Sequence, residues 1–165
     1  MSRRIVLRSI VAATIAVLAL AIAQAQTQAP TQYGANITLE KAKKAAGPAL
    51  AEAEKNHWNM AIAIVDTSGT LVYYEKIDNT QTGSAKLAIE KARTAALFKR
   101  PTKAFQDALA AGGDGLRILS LKDAVAIEGG LPLVIDGQIV GAIGVSGAAS
   151  SQDAQCAKAG VDALK

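Results

Sequence analysis

A two-residue turn is the feature that most constrains how this chain can fold. Asp136 and Gly137 separate the apolar runs "LPLVI" and "QIVGAIGVSG", and an Asp-Gly pair favours the type I′ turn that joins two antiparallel strands. An earlier pair of runs, "MAIAIVD" and "TLVYYEKID", flanks the turn-forming residues "TSG" and predicts a second antiparallel hairpin. Gly141 and Gly144 interrupt the last strand, where glycine indicates a bulge or the close approach of another backbone or a ligand.

Helical patterns lie before, between and after the two hairpins. Thr38 is a suitable N-cap for "LEKAKKAAGPALAEAEKN", in which Pro48 is expected to kink or divide the helix. The stretch from about Ser84 to Lys99 and the final "SSQDAQCAKAGVDALK" also have helical spacing, whereas the glycines of "AAGGDG" break any helix begun after Pro101. Hairpins that alternate with helices favour an α+β fold, in which an antiparallel β-sheet is flanked by α-helices.

The N-terminus has the parts of a secretory signal peptide. Three arginines lie within the first eight residues, and an apolar run over about 10–23 leads to the small-x-small site "AQA". The run is shorter than the roughly 20 residues of a spanning helix. We therefore favour a cleaved signal peptide over 1–25 to an uncleaved anchor, followed by a flexible segment over 26–37 and one domain over 38–165. The mature protein is expected to be periplasmic or secreted, with no stable membrane span.

Removal of this leader changes what the charge and size of the chain imply. Three of the 18 Lys and Arg residues lie in the leader, so the mature chain has 15 basic residues against 14 acidic ones. This near balance of charge gives no support for nucleic-acid binding. Cleavage after Ala25 leaves 140 of the 165 residues, which is the size of one domain. Cys156 is the only cysteine, which excludes an internal disulfide, a cysteine zinc site and thioether attachment of haem.

The helix over about 84–99 has two different faces. An alanine-rich face is predicted to contact the sheet and comprises Ala85, Ala88, Ile89, Ala92, Ala95 and Ala96. A second set, which we call the mixed stripe, comprises Leu87, Lys91, Thr94 and Phe98 on the other side. Its combination of apolar and polar residues is typical of a surface that another subunit or a ligand covers. The alternative is a lysine that extends its ammonium to water beside scattered apolar residues.

Three separated motifs of the chain resemble the GlcG/HbpS family. They are "KARTAALFKRPT" over 91–102, "GGLP" over 129–132 and "DGQIVGAIGVSG" over 136–147, with Asp153 behind them. The similarity extends over nearly the whole predicted domain. It implies an antiparallel sheet flanked by helices in a profilin-like layering, assembly into homo-oligomers, and haem as the small-molecule ligand. The family is also related to the C-terminal domain of some cobalamin adenosyltransferases, and many members have no assigned activity.

The resemblance makes an exported haem-binding protein the leading functional interpretation. Such a protein would store or scavenge haem, or sense redox state, without turnover of its own. One alternative is a small organic-acid-binding protein or an enzyme accessory to an oxidation pathway. Another is a purely structural oligomer. The sequence shows no general base with a convincing partner, so no catalytic residue is assigned.

A haem site is predicted around the first motif. The candidate cofactor-binding residues are Lys91, Thr94, Phe98, Arg100, Thr102 and Lys103. The resemblance implies a threonine oxygen near the iron, and the cations can meet the haem propionates through charge-assisted hydrogen bonds. The phenylalanine supplies an apolar contact. The alternative for the basic residues is that they only end a helix, where cations interact favourably with the helix dipole.

The usual ligands of haem iron are histidine, cysteine, methionine and tyrosine. His57 is the only histidine and follows the first helix, where an exposed or capping role is favoured over iron ligation. Met60 begins a buried strand and Cys156 lies on the apolar stripe of the last helix, so both are expected in the core. The metal ligand is therefore left unassigned.

Overall fold

The computed structural model describes residues 31–165, so the predicted signal peptide lies outside the described residues. The strands are β1 (Ala61–Asp66), β2 (Leu71–Lys76), β3 (Gly130–Ile135) and β4 (Gln138–Ser146). They form one four-stranded sheet in the order β2-β1-β4-β3, and each neighbouring pair is antiparallel. Both predicted hairpins are therefore present, and β1 and β4 are the central strands.

Helices cover both faces of this sheet. They are α1 (Leu39–Lys55), α2 (Thr82–Leu97), α3 (Lys103–Ala110) and α4 (Ser150–Asp162), with a 3₁₀ helix (Gly113–Ser120) after α3. The helices α1 and α4 pack on one face and α2 packs on the other. This layering confirms the predicted α+β fold. None of the helices over 31–165 has the length and hydropathy that a membrane crossing requires.

The ends of α1 follow from local chemistry. The hydroxyl of Thr38 accepts a hydrogen bond from the backbone N–H of Lys41 at 3.3 Å, which confirms the predicted N-cap. The helix continues through Pro48 and is not divided there. It ends where His57 adopts a φ of 58° and the N–H of Trp58 reaches back to the carbonyl of Ala53 at 2.9 Å, which is a Schellman-type C-cap. The exposed His57 is thus a helix-terminating residue.

The β3–β4 hairpin has the turn that its sequence predicts. Asp136 and Gly137 have φ values of 50° and 74°, and a type I′ turn requires positive φ at both central positions. The β3–β4 register shifts after Leu133, which pairs with Gly141. The predicted irregularity near this glycine is therefore a β-bulge.

Gly144 lies directly beneath the backbone of α2. A Cβ atom added at this position would lie 2.1 Å from the carbonyl oxygen of Ala88 and 2.5 Å from the nitrogen of Ala92. The backbone of α2 therefore passes directly over β4 at a distance that only glycine permits. This is the close backbone approach that the sequence predicts.

The two faces of the sheet have cores of different composition. The α1/α4 side contains large aliphatic residues, among them Met60, Ile62, Ile64, Leu133 and Ile143. The α2 side consists of Val65 and seven buried alanines: Ala61, Ala63, Ala88, Ala92, Ala95, Ala96 and Ala142. The predicted alanine face of α2 thus contacts the sheet, although Ala85 and Ile89 remain only partly buried at its margin.

Part of the segment predicted to be flexible, 26–37, lies within the described residues. The N–H of Gly34 donates to the carbonyl of Ile139 at 2.8 Å, and the N–H of Ile37 donates to that of Val140 at 2.8 Å. The side chain of Ile37 is buried in the larger core. These residues are therefore tied to the beginning of β4 by backbone hydrogen bonds.

Candidate functional site

The chain itself covers the centre of the mixed stripe. Lys91 and Thr94 have 0% exposed surface. The hydroxyl of Thr94 accepts a hydrogen bond from the backbone N–H of Val125 at 3.0 Å, so the segment that leads into β3 lies over this part of α2. Leu87 and Phe98, at the two ends of the stripe, stay partly exposed. The prediction that a partner or a ligand covers the mixed stripe is therefore wrong for Lys91 and Thr94, which the chain's own backbone covers.

Lys91 forms a buried ion pair and does not face a ligand. Its ammonium lies 2.6 Å from a carboxylate oxygen of Asp153 and donates to the carbonyl of Val145 at 3.0 Å. The second carboxylate oxygen of Asp153 accepts the N–H of Ala148 at 3.1 Å. The predicted contact between Lys91 and a propionate does not fit this arrangement, because the ammonium points into the protein and is already paired.

Burial shifts the pKa values of Lys91 and Asp153 in opposite directions. Desolvation lowers the pKa of the Lys91 ammonium, while the carboxylate of Asp153 opposes that change. Desolvation likewise raises the pKa of the Asp153 carboxyl, against the effect of Lys91. Because removal of either partner leaves the other as an unpaired buried charge, the pair is expected to be important for folding. It connects the middle of α2 to the first turn of α4.

The two threonines proposed to approach iron have hydroxyls that are already hydrogen-bonded inside the fold. Thr94 donates to the carbonyl of Glu90 at 2.8 Å in addition to accepting from the segment above it. The hydroxyl of Thr102 accepts the N–H of Gly130 at 2.9 Å, and Thr102 has no exposed surface. The predicted threonine contact to iron is corrected for this structure, since both oxygens support the backbone of neighbouring segments.

Two of the predicted residues do line an open groove. Phe98 and Arg100 belong to a groove of about 490 Å³ between α3 and the 3₁₀ helix. Most of its lining is apolar and includes Phe105, Ile118 and Leu121. This volume falls within the range of small-molecule sites, roughly 300–1,000 Å³.

Aromatic packing defines one side of the groove. The rings of Phe98 and Phe105 have centroids 5.3 Å apart and meet edge to face at 70°. The guanidinium of Arg100 lies 5.6 Å from the Phe105 ring centroid, and its Nε donates to the carbonyl of Phe98 at 3.2 Å. Arg100 is therefore held beside the apolar surface while its charge stays exposed to solvent.

Among the described residues, the charges that line the groove are two cations and one anion. Arg117, on the 3₁₀ helix, is a second exposed guanidinium beside Arg100, and the anion is the exposed Asp114. The groove thus combines apolar walls with a net positive charge. An amphiphile with an apolar body and carboxylate groups matches this combination.

The other predicted or neighbouring cations have partners outside the groove. Lys103 is exposed and contacts both carboxylate oxygens of Asp107, at 2.7 and 2.9 Å. The ammonium of Lys99 lies 4.1 Å from the ring centroid of Tyr33, whose hydroxyl donates to the carbonyl of Ala96 at 2.7 Å. The structure therefore brings Phe98 and Arg100 together at the groove, places Lys103 beside it, and buries the other three predicted residues.

The sequence patterns do not predict most of this groove. Phe105 and Arg117 were not singled out because the glycines of "AAGGDG" marked the region only as irregular. The signal that could have found the first wall is the spacing of Ala104, Phe105 and Ala108, which is that of one face of a short helix. No comparable signal predicts that the 3₁₀ helix folds back against that face.

The usual iron ligands lie elsewhere. Every histidine, cysteine and tyrosine of the chain is within the described residues, and none of them lines the groove. Met60 and Cys156 are buried in the core on the α1/α4 side, as predicted. Burial also raises the pKa of the Cys156 thiol to about 12, so this cysteine has little of the thiolate form that binds metals and reacts.

Comparisons with known proteins agree with the family resemblance. The family model for haem degrading protein HbpS-like matches residues 37–162. Protein GlcG of Escherichia coli strain K12 is 42% identical over 95 residues, which are 58% of this chain and 69% of GlcG.

Solved structures show the same fold. The crystal structure of a double mutant of Streptomyces reticuli HbpS superimposes with a TM-score of 0.74 at 30% identity, covering 86% of this chain and 95% of that one. The crystal structure of a PduOC–haem complex superimposes with a TM-score of 0.71 at 25% identity, covering 79% and 96% of the two chains. The match over most of the chain and the agreement in fold show that this protein belongs to the HbpS-like family, described as haem degrading protein HbpS-like.

Proposed function

We propose that this protein binds haem in the groove between α3 and the 3₁₀ helix. The observation that carries the proposal is the combination of apolar walls and two exposed guanidinium groups in one groove. Haem has a flat apolar ring and two carboxylates, so it needs both kinds of contact. Membership of the HbpS-like family and the haem complex of the related PduOC support this choice of ligand.

Each part of the groove suits one part of that ligand. Phe98 and Phe105 offer ring surfaces for stacking or edge contact with the macrocycle. Arg100 and Arg117 offer guanidinium groups, which bind carboxylates through paired hydrogen bonds. A small organic acid would use the arginines and leave the apolar walls in contact with water, so the lining favours the larger, amphiphilic ligand.

The proposed role is haem storage, scavenging or redox sensing. The groove is open to solvent and its cations are exposed, and exposed ion pairs contribute little binding free energy, about 0–1 kcal/mol each. Such a site supports reversible loading and release of haem. We assign no turnover to this chain.

The proposed site can be tested by filling the groove. Ala104 lines the groove and its side chain is exposed, so Ala104→Trp should occupy the space without disturbing the core. We expect hemin affinity, measured from the Soret absorbance, to fall by at least about tenfold. Ala51→Trp, at an exposed position of α1, is the matched control and should bind hemin as the wild type does. Wild-type affinity in the Ala104→Trp variant would show that haem binds elsewhere.

We also propose that the chain is exported, on the basis of its arginine-rich start, apolar run and small-x-small site. After expression in a Gram-negative host, protein recovered from the periplasm or the medium should begin near Gln26 by N-terminal sequencing. Recovery of protein with an intact Met1 from a membrane fraction would contradict export by cleavage.

A further inference from the structure

We infer that the groove recognises the porphyrin ring and its carboxylates, and that the metal at the ring centre contributes nothing to affinity. The ligand class is then the carboxylated tetrapyrroles in general, including metal-free porphyrins. This inference rests on the proposed haem site and makes it more specific. It follows from the types of side chain that line the groove and from the positions of the usual iron ligands elsewhere in the fold.

The described residues of the lining offer iron no customary ligand. They are aromatic, aliphatic, glycine, arginine and one aspartate. Iron in haem proteins is usually bound by histidine, cysteine, methionine or tyrosine, and none of these types lines the groove within residues 31–165. Within the described part of the chain, Asp114 is the one lining residue whose side chain carries a metal-binding oxygen.

The customary ligands are also held away from the groove by the fold. His57 ends α1, and Met60 and Cys156 are enclosed in the core on the opposite face of the sheet. Tyr73 and Tyr74 lie on β2, at the sheet edge opposite to β3. None of these five side chains is among the described residues that line the groove.

The nearby hydroxyl groups are hydrogen-bonded to the backbone. Tyr33 donates to the carbonyl of Ala96 at 2.7 Å at the end of α2. Thr94 and Thr102 are buried and accept backbone N–H groups at 3.0 and 2.9 Å. These hydrogen bonds hold the hydroxyls of Tyr33, Thr94 and Thr102 toward the backbone of the chain, and none of the three residues is among the described residues that line the groove.

The contacts that remain do not depend on the metal. Burial of the ring contributes about 25 cal/mol per Å² of apolar surface whether or not the ring contains iron. The attraction of Arg100 and Arg117 for the ring carboxylates is likewise unchanged by the metal. Metal-free protoporphyrin IX, zinc protoporphyrin and hemin should therefore bind with similar affinity.

The test is a parallel titration of the full-length mature protein with these three porphyrins in one buffer, by absorbance and by quenching of Trp58 fluorescence. We expect the three dissociation constants to agree within about threefold. If hemin binds more than about tenfold more tightly than metal-free protoporphyrin IX, the inference is overturned while haem binding stands. If none of the porphyrins binds, the proposed function fails instead.

Two further measurements separate the contacts. Asp114→Asn should leave the ratio of hemin to metal-free affinity unchanged, and a ratio that changes more than about threefold would identify Asp114 as an iron ligand and overturn the inference. The dimethyl ester of protoporphyrin IX, whose carboxylates are blocked, should bind about fivefold more weakly than the free acid, since two exposed ion pairs of about 0.5 kcal/mol each contribute about 1 kcal/mol together. Equal binding of the ester would show that the arginines do not recognise the carboxylates.

Discussion

Replacing Lys91 by methionine should lower the free energy of unfolding by about 3–5 kcal/mol, because the substitution leaves a carboxylate buried without its cation. Asp153 is 2% exposed and would keep only hydrogen bonds from the backbone N–H groups before α4, among them that of Ala148. Methionine has a similar length and no charge, so little of the loss should come from a cavity. The measurement is the urea midpoint at constant slope.

Lys103→Met is the matched control for this variant. Lys103 also pairs with an aspartate, but both side chains are about half exposed, so its loss should cost no more than about 1 kcal/mol. The double variant Lys91→Met/Asp153→Leu should recover part of the stability, because both buried charges are then removed. If Lys91→Met kept the wild-type midpoint and instead lost hemin binding, the propionate role predicted from the sequence would be right.

Gly144→Ala should destabilise the protein by about 3 kcal/mol or more, at the upper end of the effects of overpacking. The new methyl group would meet the carbonyl oxygen of Ala88 at 2.1 Å, and that oxygen is backbone that cannot move independently of α2. The helix must therefore lift from the sheet. Thermal unfolding followed by circular dichroism measures the loss.

Gly83→Ala provides the control for this prediction. Gly83 lies exposed in the first turn of α2 with no atom within 4 Å of an added Cβ, and alanine there should leave stability unchanged or raise it by up to about 1 kcal/mol. Equal stability of Gly144→Ala and the wild type would contradict the close contact between α2 and β4.

The hairpins and helices could be predicted because their signals are local. The positive φ values of the β3–β4 turn depend on two adjacent residues, Asp136 and Gly137. In the same way, Thr38 caps a helix that begins at the very next residue. The mixed stripe was interpreted incorrectly because its composition shows only that something covers it. The partner of Lys91 is 62 residues away in the sequence, and no local pattern connects the two.

Asp153, the partner of Lys91, nonetheless belongs to the pattern of residues that resembles the GlcG/HbpS family. A Cβ on Gly129 would lie 2.9 Å from the ammonium of Lys91 and 2.9 Å from the Cβ of Asp153. The three residues come from three separate parts of the resemblance and form one packed cluster. These parts of the motifs therefore describe how α2, β3 and α4 fit together, and Lys91 has a structural role in place of the predicted contact with a ligand.

The almost exclusive use of alanine beneath α2 has a consequence for how the groove keeps its shape. Alanine has no side-chain rotamers to lose, so docking this helix costs little conformational entropy beyond that of the backbone. The backbone of the helix also rests directly on Gly144, which sets how deeply it lies on the sheet. Phe98 is the C-cap of that helix, and its position at the groove is therefore set by the sheet. Substitutions inside the sheet can then change the shape of the groove by moving one of its walls.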